Sequence, residues 1–228
     1  MKVTRIAGAM LALIFLSACA GPTLTKREAF PSMYGTNKPL SMVVVPAINE
    51  TTAADSGDLL NVTVAQPFAN HGYYVMPVSI VADIFRGEGV IDGTQMKGVP
   101  TKIFKDSFGA DSVLFLTINK WETNYIVIGG NVTVGIEYVL LSTETNEVLW
   151  SYQQNLVIDT GSSSGNILVD IVATAISTAA TDYVPIAAQV HVNAVNAMPY
   201  GAYHPQTGLD GDIKSVNQRA QQGALAED

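Results

Sequence analysis

The chain has 228 residues, a formal net charge of −8 and a sequence pI of about 4.7. This acidic balance argues against nucleic acid as a partner and against docking on anionic lipid headgroups by charge, because both would repel a negative surface. Hydrophobic residues make up 48% of the sequence, so the chain can bury a substantial core, and its length fits one domain with tails.

The first residues have the pattern of a secretory signal. Lys2 and Arg5 come before an apolar run of eleven residues, 6–16. A membrane-spanning helix needs roughly 20 apolar residues, so this run is too short to span and instead fits the central part of a signal peptide. We therefore predict a signal over residues 1–18, whose removal would change the formal charge from −8 to −10.

The only cysteine of the chain, Cys19, follows this signal directly. The four residues Leu-Ser-Ala-Cys at 16–19 resemble a bacterial lipobox, and a thiolate is the side-chain nucleophile best suited to take up a lipid. The alternative is an ordinary signal that ends near a buried cysteine. We predict lipidation at Cys19. Because Ala20 is not aspartate, the resemblance to lipoprotein sorting in Gram-negative bacteria implies the outer membrane, on its periplasmic side.

The remainder divides into three parts by composition. Residues 19–40 are polar and punctuated by proline and glycine, which predicts a flexible tether that holds the domain near its membrane unless it docks on that domain. Residues 41–205 carry the patterns of a folded α/β domain. Residues 206–228 are polar and glutamine-rich, so we predict a mobile tail.

The first elements of the domain predict a βαβ unit. Residues 41–46 are β-branched and apolar, as in a buried parallel strand. A helix is expected over 56–70, with Pro67 disturbing its last turn and His71 at its end. Residues 73–76 then predict the second strand.

Two short helices and a loop follow. Residues 78–85 predict a short helix, and residues 86–98 are glycine-rich and predict a loop. Residues 100–108 begin with proline and precede Gly109, which predicts another short helix that ends there.

Three long β-type stretches come next, at 111–121, 132–141 and 148–158. Residues 143–147 predict a hairpin turn between the last two, and residues 124–131 predict a bent or bulged connection. These strands should pair antiparallel beside the βαβ unit. The fold class is therefore α/β, with a mixed sheet, an N-terminal βαβ part, a three-stranded antiparallel C-terminal part and packed helices.

The last helical pattern covers residues 167–183, with Pro185 dividing it from a second piece that extends to residue 197. Its apolar stretch is short and rich in alanine, serine and threonine, which favours packing on the sheet over a membrane span.

The three histidines do not predict a metal or catalytic site. The His71 imidazole is expected to meet the last carbonyls of its helix, and His191 is expected to be a surface or packing residue. His204 lies beside a proline. None has a carboxylate at metal-ligand spacing, so we predict no metal, no cofactor and no catalytic residue.

Two other functions stay open. A periplasmic hydrolase would need two carboxylates, or a serine and a histidine, that converge in a pocket, although the sequence has no nucleophile-elbow motif. A solute-binding lipoprotein would need a deep apolar cleft.

Residues 198–205 stand out because they place two tyrosines, a histidine and two prolines close together. Tyrosine is a favoured anchor at protein interfaces, so Tyr200, Tyr203 and His204 are candidate partner contacts. Tyr34, in a similar stretch of the tether, is a fourth candidate. The alternative is that both stretches fold back and cover the core of the domain.

Several motifs together resemble a family of bacterial outer-membrane lipoproteins without an established activity, whose members are often encoded beside CsgG-like lipoproteins. They are the lipobox and the stretches 31–35, 42–46, 137–150 and 198–205. The resemblance implies an α/β fold similar to the N-terminal domain of TolB and to CsgG, and it carries over no catalytic residues.

We therefore predict a lipid-anchored periplasmic protein that is not an enzyme. It would act as a non-catalytic interaction module that supports an outer-membrane assembly or export system. The expected partners are the membrane, through lipid on Cys19, and a protein such as a CsgG-like lipoprotein. A homodimer is also open.

Overall fold

A computed structural model of the chain describes residues 24–35, 38–125, 130–159 and 183–214. These residues form a six-stranded mixed sheet and five α-helices, so the predicted α/β class is confirmed. The predicted signal, Cys19 and, apart from Tyr183, the predicted helix over 167–183 lie outside the described residues.

The parallel part of the sheet is built around strand β1, Ser41–Val44. It pairs in parallel with β3, Tyr74–Val75, on one side and with β4, Ser112–Tyr125, on the other. The strand ends before Pro46, the residue expected to end this run, since proline has no N–H to donate to a strand ladder. The chain then returns to the sheet as β2, Ile48–Asn49, a short strand that we did not predict and that pairs in parallel with β4.

The antiparallel part is larger than predicted. Strand β5, Gly130–Ser142, pairs with β4 and with β6, Val148–Asp159, which gives the order β3-β1-β4-β5-β6. The predicted bent connection over 124–131 is shorter than expected, because pairing continues out to Tyr125 and Gly130. Each strand of a hairpin supplies the ladder partners of the other, so both extend beyond their apolar patterns.

One face of the sheet carries the larger core, under two long helices. Helix α2, Ser56–Asn70, has the predicted bounds and includes Pro67 in its last turn. Helix α5, Val184–Ala197, begins with Pro185 in its first turn. Apolar side chains four positions apart make a buried stripe on each helix: Leu60, Val64 and Phe68 on α2, and Ile186, Val190 and Ala194 on α5.

The opposite face carries a smaller core under α3, Val78–Gly87, and α4, Lys102–Phe108. Phe85 and Phe104 meet there at a ring separation of 6.3 Å. Helix α4 ends at Gly109, as predicted, and its φ of 68° needs the conformational freedom of glycine. The two long connections therefore place helices on both faces of β1.

Within the described ranges, no helix combines the length and the apolar character that crossing a bilayer requires.

Candidate functional site

Residues 24–34, which lie in the predicted tether, are folded and packed on the domain; we call them the N-terminal strap. They contain helix α1, Lys26–Ala29, and a 3-10 turn over Pro31–Met33. Thr25 caps α1: its backbone N–H donates to Glu28 Oε2 at 2.8 Å, and its hydroxyl accepts from the Glu28 N–H at 3.3 Å. Phe30 is 4% exposed and is part of the larger core. Burial of such side chains holds this stretch against the domain.

Residues 198–214, the C-terminal segment, cross the turn that follows α2. Met198 is fully buried in the larger core. The Tyr73 hydroxyl donates to the Pro199 carbonyl at 2.7 Å. Backbone hydrogen bonds connect Gly201 N–H to His71 O at 2.9 Å and Tyr203 N–H to the Gly72 carbonyl at 3.0 Å. The segment also includes the first nine residues of the predicted tail, 206–214.

Two glycines allow this crossing. Gly72 has a φ of 95°, and a Cβ on it would lie 2.5 Å from the His204 nitrogen. A Cβ on Gly201 would lie 2.9 Å from the Tyr73 nitrogen. Real Cβ atoms do not approach other atoms so closely, so the two backbones can pack only because both positions lack a side chain.

A buried ion pair joins the strap to the C-terminal segment. Lys26 Nζ lies 3.3 Å from Asp210 Oδ2, and the side chains are 4% and 0% exposed. Lys26 also donates to the Met198 carbonyl at 2.7 Å. Burial lowers the pKa of Lys26, while the Asp210 carboxylate opposes that change.

Asp210 accepts hydrogen bonds from two further donors. The Tyr34 hydroxyl donates to Oδ1 at 3.1 Å, and the Tyr200 backbone N–H donates to Oδ2 at 3.0 Å. Burial, reinforced by the Asp210 charge, raises the pKa of Tyr34, so this hydroxyl stays a donor. The carboxylate therefore joins the strap and the C-terminal segment around one buried charge.

His71 connects the turn after α2 to this cluster. Its Nε2 lies 2.9 Å from the Met198 carbonyl, which can only accept, so Nε2 carries the proton. The prediction that this imidazole meets the last carbonyls of its own helix is therefore wrong. Burial lowers the pKa of His71 to about 4. The ring also lies 4.7 Å from that of Tyr200, which stacks on His204 at 3.8 Å.

The four predicted contact residues lie in or beside this cluster, with different exposure. Tyr34, Tyr200 and His204 are partly buried and have partners within the chain. Tyr203 is 66% exposed. The beginning of the segment therefore covers the core, while Tyr203 faces solvent, and contact with a partner stays a prediction for all four.

His191 holds α5 against α2 and the sheet and is fully buried. The Tyr138 hydroxyl donates to its Nδ1 at 3.0 Å, and its Nε2–H donates to the Leu60 carbonyl at 3.1 Å. Burial lowers its pKa to about 4, which keeps Nδ1 free to accept. Sequence reasoning expected a surface or packing residue and missed this hydrogen-bonded role, for which the apolar neighbours of His191 were the only signal.

An open groove of about 930 Å³ follows the carboxyl end of β1, between α2 and α3. The catalytic site of a hydrolase, or the cleft of a solute-binding protein, would be expected in this groove. Asp83 forms an ion pair with Arg86 at 2.6 Å, and Asp92 accepts the Thr94 N–H at 2.7 Å. Asp83 and Asp92 therefore have structural partners. Asp58 is the third carboxylate among the described residues that line the groove, and no histidine is among them.

The proteins to which this chain is similar are named as lipoproteins. A lipoprotein of Neisseria meningitidis serogroup B (strain ATCC BAA-335 / MC58), named Putative lipoprotein NMB1124/NMB1162, is 25% identical over 169 residues, which cover 74% of this chain and 77% of that protein. The crystal structure of lipoprotein GNA1162 from Neisseria meningitidis matches with 27% identity and a TM-score of 0.52, over 60% of this chain and 95% of that one.

A PelC dodecamer from Paraburkholderia phytofirmans is more distant in structure, with 20% identity and a TM-score of 0.39 over 74% of this chain and 94% of that one. The family model described as "Putative lipoprotein GNA1162-like" matches residues 31–203, which is most of the chain. The chain therefore belongs to this GNA1162-like lipoprotein family.

Proposed function

We propose that the protein is a non-catalytic interaction module held at the outer membrane by lipid on Cys19, on the periplasmic side. Its membership of a lipoprotein family supports the anchor, together with the lipobox at 16–19. Ala20, rather than aspartate, supports the outer membrane as its destination.

The interaction role is supported by one observation: the Tyr203 side chain is exposed on a backbone that is held in place. The buried ion pair of Lys26 and Asp210 and the crossing at Gly72 hold the backbone of the C-terminal segment in place. The Tyr203 side chain is nevertheless 66% exposed. A tyrosine on an ordered backbone loses little conformational entropy when a partner covers it, which suits a contact residue.

The proposed partner is a protein of an outer-membrane assembly or export system, for which a CsgG-like lipoprotein is the candidate implied by the family resemblance. A second copy of this chain is an alternative partner. In either case the exposed Tyr203 contacts the partner directly. Tyr34, Tyr200 and His204 hold the segment that carries it and stay candidate contacts beside it.

The contact can be tested by photo-crosslinking in intact cells, with p-benzoylphenylalanine in place of Tyr203. Val157, which is 59% exposed on strand β6 at the opposite edge of the sheet, is the control. We expect a discrete protein adduct from position 203 and none from position 157. We also expect Tyr203→Ala to weaken recovery of that partner without lowering the melting temperature. Equal adducts at both positions, or none at 203, would contradict the proposed contact.

The anchor has its own test. Cells fed radiolabelled palmitate should incorporate the label into the natural chain, and Cys19→Ser should remove both the label and flotation with membrane vesicles. An unlabelled natural chain would overturn the anchor and leave the crosslinking result to be judged separately.

A further inference from the structure

We infer that the face formed by the N-terminal strap and residues 208–214 docks on the bilayer that carries the anchor, with Leu209 and Ile213 inserted between the headgroups. This inference rests on the proposed lipidation of Cys19. Five peptide units separate Cys19 from Leu24, where the strap begins, and they span at most about 18 Å when fully extended. The short reach of this connection keeps the strap beside the membrane.

Residues 208–214 lie directly against the strap. The backbone N–H of Lys26 donates to the Ile213 carbonyl at 2.8 Å, and that of Arg27 donates to the Gly211 carbonyl at 3.0 Å. The Arg27 guanidinium donates to the Gly208 carbonyl at 3.1 Å, and Thr25 and Lys214 form an antiparallel bridge. Because these bonds join the two stretches, the connection that keeps the strap near the anchor also keeps residues 208–214 near it.

This part of the surface exposes large apolar side chains. Leu209 is 78% exposed and Ile213 is 53% exposed, so each presents much of its apolar surface to solvent. Aliphatic side chains beside a lipid attachment point can transfer from water into the interfacial region, where their burial is favourable. The surface that covers Leu209 and Ile213 is therefore the bilayer that holds the anchor.

The charge of this face permits the approach. The mature chain carries a formal charge of −10, which opposes docking on anionic lipid over most of its surface. Residues 24–29 and 206–214, in contrast, sum to zero, because three cations balance three carboxylates: Lys26, Arg27 and Lys214 against Glu28, Asp210 and Asp212. Repulsion from phosphatidylglycerol is therefore weakest at the face that the anchor presents.

The test uses the purified mature chain, residues 19–228, coupled through its single thiol to a maleimide phospholipid in vesicles of phosphatidylethanolamine and phosphatidylglycerol. This coupling places the anchor at Cys19 whether or not cells acylate it. p-Benzoylphenylalanine is placed at position 209, at 213 or at 91. Ile91 is the control because it is apolar and 80% exposed, and it lies in the loop after α3.

On irradiation, we expect phospholipid adducts at positions 209 and 213 and none at position 91. Absence of lipid adducts at 209 and 213, or equal adducts at 91, would overturn the inference. Protein adducts at 209 in intact envelopes, without lipid adducts, would assign this face to a protein partner and would also overturn it. A chain that takes up no palmitate in cells would instead contradict the proposed anchor, and the vesicle result would still decide whether this face docks.

Discussion

Lys26 and Asp210 lie 184 positions apart in the sequence, and their Nζ and Oδ2 atoms are 3.3 Å apart with both side chains almost completely buried. The pair joins the strap that leads to Cys19 to the segment that carries Tyr203. A buried ion pair adds little net stability compared with apolar replacements, but loss of one partner leaves an uncompensated charge in the interior. The strap and the C-terminal segment should therefore separate when either charge is removed.

Asp210→Ala should lower the free energy of unfolding by about 3–5 kcal/mol, because Lys26 is left buried without its counter-ion. Urea unfolding measures the loss. The backbone amides of Lys26 and Arg27, which donate to the C-terminal segment, should also exchange with solvent faster. Asp106→Ala is the control, since Asp106 pairs with Lys102 on the exposed surface of α4 and such pairs contribute about 0.3–0.5 kcal/mol. Equal losses in the two variants would contradict a special role for the buried pair.

Phe30→Ala should release the strap, because the substitution removes a buried aromatic ring from the core. Large-to-small changes of this kind cost about 3–5 kcal/mol. The measurement is limited trypsin digestion, since Lys26 is buried in the docked strap and becomes accessible only when the strap is released. Ser32→Ala, in the same strap, removes only a surface hydrogen bond to Glu147 and is the control. Unchanged cleavage at Lys26 in Phe30→Ala would show that other contacts hold the strap.

Gly72→Ala should displace the C-terminal segment, because the new Cβ would overlap the His204 backbone. Both Gly72 and Gly89 have positive φ, so an alanine at either position carries a backbone penalty of roughly 1–2 kcal/mol. Nothing lies within 4 Å of a Cβ on Gly89. Overpacking should therefore add about 1–3 kcal/mol of destabilisation at Gly72 alone. Chemical denaturation of the two variants checks this difference, and equal values would refute the close crossing.

The stability of the fold should fall as the pH falls from about 6.5 to about 4. The pKa of His71 is lowered from 6.5 to about 4 by burial, so in this window the unfolded chain binds a proton that the folded chain does not. The contribution of His71 is complete above pH 6.5 and is lost as the pH falls through the folded pKa.

His71→Gln keeps an N–H donor for the Met198 carbonyl and removes this titration. The slope of the unfolding free energy in that window should decrease by up to about 1.4 kcal/mol per pH unit. His191, whose pKa is also lowered to about 4, should keep its own contribution in the variant. Identical slopes in the natural chain and the variant would contradict the buried neutral state of His71.

Helix α2 shows what could be predicted locally. Start and stop signals bracket an apolar stretch of mixed spacing, so the sequence predicts the bounds that the structure has. The structure then shows that Leu60, Val64 and Phe68 form the buried stripe. The later strands were predicted in type but not in length, because their ends depend on the pairing of β4 with β5 and β6. The helix over 167–183 is still untested, since it lies almost wholly outside the described residues.

The strap and Asp210 show where local patterns fail. Phe30 and Met33 stand among prolines and polar residues, which resembles a linker, and Asp210 lies in a stretch that reads as a mobile tail. Each is buried only because a distant part of the chain covers it. No periodicity within either stretch carries that information.

By itself, the sequence determined the α/β class and most of the described elements, and it predicts a lipobox at Cys19, because each depends on side-chain patterns within a few neighbouring residues. Only the tertiary structure decided that residues 24–34 dock on the domain, that His71 and Lys26 share the Met198 carbonyl, and that Tyr203 stays exposed beside them. The physical reason is that burial and charge pairing between segments more than a hundred residues apart depend on how the whole chain packs.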